Sequence, residues 1–135
     1  MSDLAADTPG ELSLGAAEYL AMRAHLCTLS EGNAAFIDRC FQLFVKETTA
    51  DLAHLDAAVA QGDAAAVVSI AHRLKGGCLT SGAAQMAACC AELETEARAA
   101  ARVSVASALD RLAALFQGVC TQQTDYATRK LVPVT

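Results

Sequence analysis

A chain of 135 residues with 54% hydrophobic residues can bury one domain core, but with 4% aromatics and no Trp that core must be built from Ala, Leu, Val and a few Phe. The abundance of alanine, with eight glycines and two prolines, favours helices throughout. A formal net charge of −5 without a basic run excludes nucleic acid as the main partner, because neutralising phosphates needs clustered Lys and Arg.

In chain order, residues 1–10 are small and polar and include Pro9-Gly10, so a disordered N-terminus is expected. Leu14 to Leu29 reads as a short helix with Leu14, Ala17, Leu20, Ala21 and Ala24 on one side. Ser30 is a suitable N-cap for the next helix. From Asn33 to Gln61, the positions Ile37, Cys40, Phe41, Phe44, Thr48, Leu52, Leu55 and Val59 form a long amphipathic stripe. Gly62-Asp63 then reads as a helix-ending glycine followed by an N-cap.

The helix expected over Ala64 to Leu79 carries the core stripe Val67, Ile70, Ala71, Leu74 and Cys78. Beside that stripe lie Val68, Ser69, His72, Lys75, Gly76 and Leu79. Thr80, Ser81 and Gly82 break the pattern, and Ala83, Met86, Cys90, Leu93 and Ala97 resume it. A final helix follows with Val105, Leu109, Leu112, Phe116 and Val119; Ser104 is its best N-cap, since no Gly or Pro stands between Ala99 and Val103. Beyond Cys120 the apolar period is lost, so residues 121–135 read as a frayed helix end or tail outside a domain of residues 11–120. The expectation is an all-α fold, an antiparallel up-down four-helix bundle with a short additional N-terminal helix.

Two helices joined at Gly82 should fold back on each other. His72 lies eleven residues before Ala83 and Glu94 eleven after it, so the two stand at the same height on facing helices. A carboxylate there can accept a hydrogen bond from one imidazole nitrogen and turn the other outward as a nucleophile. Lys75 stands one turn from His72 on the same side of the helix. Gly76 and Gly77 cost a mid-helix position about 1 kcal/mol each relative to alanine, which points to close approach of another protein. Glu92 and Glu96 read as solvated charges, and Arg73 as a rim contact.

The run AHRLKGG, followed by SGA and ELE, resembles the signature of histidine-containing phosphotransfer (HPt) domains of bacterial phosphorelays, including the related first domain of chemotaxis kinases. The resemblance implies that His72 is the phosphorylated histidine, Lys75 the lysine beside the phosphoryl group, Gly76 the glycine that leaves room for the partner, Gly82 the interhelix glycine and Glu94 the residue that orients the histidine. Val68, Arg73, Gly76, Gly77 and Leu79 would then form the docking patch. Gly77 departs from the serine of many stand-alone members, whereas Gly-Gly is familiar in the chemotaxis-kinase branch. The implied partners are receiver domains of a hybrid histidine kinase and of a response regulator, with Mg²⁺ carried by the receiver and no cofactor on this chain. The other readings are the phosphoacceptor domain of a chemotaxis-type kinase, and a receiver-binding adaptor without phosphotransfer.

Other constellations are weaker. Asp51-Leu52-Ala53-His54 has carboxylate-x-x-His spacing but no second such motif, so no metal site is expected, and His25 and His54 lack comparable settings. The six cysteines, Cys27, Cys40, Cys78, Cys89, Cys90 and Cys120, include no Cys-x-x-Cys pair and read as reduced packing thiols. No Gly-rich nucleotide loop is present, so no ATP-dependent kinase activity is expected. The N-terminus lacks the positive and apolar regions of a secretion signal, and no segment reads as long and apolar enough to span a bilayer. A soluble, cytoplasmic monomer is expected.

Overall fold

The computed structural model describes residues 13–131, all of it helix and short connection. The expected disordered segment 1–10 lies outside these residues. Five helices follow in order: α1 Leu14–Ser30, α2 Ala34–Gln61, α3 Ala64–Ser81, α4 Ala84–Arg98 and α5 Arg102–Leu131.

Local chemistry sets most boundaries. Ser13 Oγ, Asn33 Oδ1 and Asp63 Oδ1 accept from the amides of Ala16, Phe36 and Ala66, which caps α1, α2 and α3. Gly62 and Gly82 end α2 and α3 at φ +68° and +82°, the left-handed conformation that glycine adopts without a Cβ penalty. Ser30 is not the N-cap expected of it: it is the last residue of α1, and its hydroxyl donates to the Leu26 carbonyl. The break before α5 falls at Ala99–Ala101 rather than at Ser104. Ala100 takes φ +57° there, and the amides of Ala100 and Ala101 bond back to the carbonyls of Ala97 and Glu96.

The core runs through all five helices and includes Met22, Phe41, Leu55, Val67, Cys78, Met86, Leu93, Leu112 and Val119. The expected stripes of α4 and α5 are buried throughout. On α1 the expected face is wrong: Leu14 is 65% and Leu20 52% exposed, while Ala16, Tyr19, Met22 and Leu26 face the core. Two contacts rotate the helix. Gly15 meets Gly118 of α5 so closely that a Cβ on Gly15 would stand 2.5 Å from the Gly118 Cα. Buried Glu18 also reaches the start of α4, where its Oε2 accepts from the Met86 amide at 2.7 Å. Ala83, the residue before α4, has no capping side chain, so Glu18 supplies the acceptor and a negative charge at the positive helix end.

Past Cys120, α5 continues to Leu131 without interruption. Tyr19 donates to Gln123 Oε1 at 2.8 Å, and the Arg23 guanidinium lies 3.9 Å from the centroid of the Tyr126 ring. By length and composition Arg102–Arg129 could cross a membrane, which corrects the expectation that no segment could. The same segment carries Val105, Leu109, Leu112, Phe116 and Val119 into the core of this fold. All six cysteines are free; Cys78, Cys89 and Cys90 are buried, and Cys27 is exposed.

Candidate functional site

Burial of Val67, Ala71, Leu74 and Cys78 fixes the rotation of α3. His72, about 100° around the helix from Ala71, therefore points outward, and its side chain is 70% exposed. The two-residue connection at Gly82 and Ala83 folds α4 back along α3, which brings Glu94 beside His72. A Cβ on Gly82 would stand 2.6 Å from His25 Cβ, and the His25 Nε2–H donates to the Thr80 carbonyl at 3.0 Å. The histidine without an evident setting in the sequence thus closes the C-terminal end of α3.

Glu94 is buried, with 8% of its surface exposed. Its Oε2 lies 3.2 Å from His72 Nδ1, and its Oε1 lies 2.9 Å from Lys75 Nζ. The Lys75 ammonium beside Glu94 is the strongest influence on its carboxyl; burial opposes it, the His72 hydrogen bond adds to it, and the net direction is downward from the ordinary value. An ionised carboxylate can only accept, so Nδ1 carries the ring proton. In the neutral ring the electron pair then sits on Nε2, on the side away from Glu94. Lys75, paired with the other oxygen of the same carboxylate, has its side chain 29% exposed.

The surface around His72 is open. Gly76 and Gly77 are exposed within α3, and a Cβ on either would meet nothing within 4 Å. Leu79 is 57% exposed, and Val68 is half-buried against the core. The Arg73 guanidinium is not free in solvent: it donates to Asp51 Oδ1 on α2 at 2.5 Å. That pair borders a groove between α2 and α3 lined by Leu43, Glu47, Gly77 and Thr80. Asp51, weighed in the sequence beside His54 as half of a metal motif, is thus the partner of Arg73. No group of three or more His, Cys, Asp or Glu able to hold a metal ion occurs among the described residues. Arg98, which the sequence reading did not single out, places Nη2 3.9 Å from Glu94 Oε2; its i, i+4 spacing from Glu94 was the available signal.

An exposed imidazole with one nitrogen fixed and the other open can take up and release a transferable group. Comparison with known proteins agrees with this chemistry. The family model described as the Hpt domain matches residues 39–122, a span that contains His72, Lys75, Gly76, Gly77, Gly82 and Glu94. Among solved structures, histidine-containing phosphotransfer protein B (HptB) from Pseudomonas aeruginosa PAO1 is similar, at 28% identity and a TM-score of 0.71, over 78% of this chain and 92% of that one. A search of curated proteins gave no significant match. The chain belongs to the Hpt domain family, the histidine-containing phosphotransfer domains.

Proposed function

We propose that this chain is a phosphocarrier of a phosphorelay, accepting a phosphoryl group on His72 from a receiver-domain phosphoaspartate and passing it to the aspartate of a second response regulator. The observation that carries this reading is the exposed His72 ring, whose Nδ1 lies 3.2 Å from the buried Glu94 carboxylate. In the transfer, the Nε2 electron pair attacks phosphorus, the N–P bond forms, and the aspartate oxygen leaves with the P–O electron pair. Glu94 holds the Nδ1 proton and offsets the positive charge that develops on the ring. Lys75 moves to the phosphoryl oxygens.

The receiver docks over Val68, Arg73, Gly76, Gly77 and Leu79, where the two glycines leave the α3 backbone accessible. It brings Mg²⁺, and the chain needs no cofactor of its own. In this reading α2 to α5 form an antiparallel up-down four-helix bundle with α1 as the additional helix. The phosphotransfer domain expected to end at residue 120 takes in the rest of α5, whose Gln123 and Tyr126 pack on α1, and the protein works as a cytoplasmic monomer.

Transfer from a radiolabelled phospho-receiver tests the proposal. Label should move to the native chain and not to His72→Gln, and equal label on both would refute the assignment.

A further inference from the structure

Glu94 serves three groups at once: Lys75 at 2.9 Å from Oε1, and His72 and Arg98 at 3.2 and 3.9 Å from Oε2. Arg98 ends α4, where the unpaired helix carbonyls favour a cation. If His72 is the phosphoacceptor, as proposed above, the resting Lys75 ammonium is paired with Glu94 and not with a phosphoryl group. That carboxylate is on the Nδ1 side of the ring, while phosphoryl oxygens would lie beyond Nε2. A lysine that turns to those oxygens lets go of Glu94, which leaves a buried carboxylate without its nearest cation.

We propose that Arg98 is a positioning residue for this exchange: it closes on Glu94 as Lys75 departs and so releases the lysine to the phosphoryl group. Two cations on one carboxylate also repel each other, so Arg98 loosens the resting Lys75 contact. Arg98 itself does not touch the reacting atoms. Its guanidinium is already within closing distance, and its side chain, 67% exposed, is free to make the short movement.

The test uses the full chain with phosphoramidate as donor. The Nε2 pair attacks phosphorus, the ring N–P bond forms, and the donor P–N bond breaks with its electron pair leaving on ammonia. Phosphohistidine formation is followed by ³¹P NMR in the native chain, Arg98→Gln, Arg98→Lys, Lys75→Ala and the Lys75→Ala/Arg98→Gln double variant. Uptake by Arg98→Gln should be slower by about two- to fivefold at low salt, the range expected of an exposed ion pair, and the gap should narrow at high salt. Arg98→Lys should restore most of the rate. In the Lys75→Ala background Arg98→Gln should change nothing further, because no lysine remains to be released. Equal rates in the native chain and Arg98→Gln, or the same slowing with and without Lys75, would overturn this inference alone. Phosphate taken up equally by a His72→Gln control would overturn the underlying acceptor site.

Discussion

Lys75 Nζ and Glu94 Oε1 stand 2.9 Å apart, so the lysine expected to face a phosphoryl group is held in this structure by the carboxylate that bonds His72 Nδ1. The contact gives the site a pH dependence of definite sign. Glu94 has a folded-state pKa below its unfolded value, so its contribution to stability is present above the unfolded value, about 4.3, and is lost as pH falls through the folded one. Urea unfolding from pH 7 to pH 3 should show the native chain losing stability below about pH 4.3, and Glu94→Gln losing less over the same interval. Parallel pH profiles would show that the pairing contributes nothing to folding.

Gly76 offers a test that separates folding from recognition. Nothing lies within 4 Å of a Cβ built there, so Gly76→Ala should raise stability by about 1 kcal/mol through helix propensity alone. Gly76→Gln should melt no lower than the native chain yet weaken receiver binding in calorimetry, because the added side chain occupies the proposed docking face. Undiminished affinity in Gly76→Gln would remove Gly76 from that face.

The Glu18–Met86 contact predicts a remote effect on the site. Glu18→Ala removes the acceptor for a buried amide at the start of α4 and should cost about 1–3 kcal/mol in denaturant unfolding. Hydrogen exchange should accelerate first in the opening turn of α4. A loss spread evenly along the chain would indicate that Glu18 acts through general packing instead.

These contacts also mark where the sequence was readable. Gly62-Asp63 and Gly82 announced the limits of α3 because each residue has a specific backbone or capping role. With that hairpin fixed, equal spacing about Ala83 was enough to pair His72 with Glu94. The α1 face was not readable, since large apolar residues lie on both sides of the helix, with Leu14 and Leu20 exposed and Tyr19, Met22 and Leu26 buried, and the rotation depends on Gly15 meeting Gly118 and on Glu18 reaching Met86. The break before α5 falls among alanines, where the left-handed Ala100 has no side-chain signature. Lys75 was placed at the correct height, but its choice between Glu94 and open solvent depends on a buried carboxylate that composition does not reveal.

The central claim is that His72 is the phosphoacceptor. Treating the native chain and His72→Gln with phosphoramidate, and comparing them by intact mass and ³¹P NMR, tests it most directly. The account predicts one acid-labile phosphate on the native chain and none on the variant. Phosphate retained by His72→Gln, on His25 or His54, would contradict it.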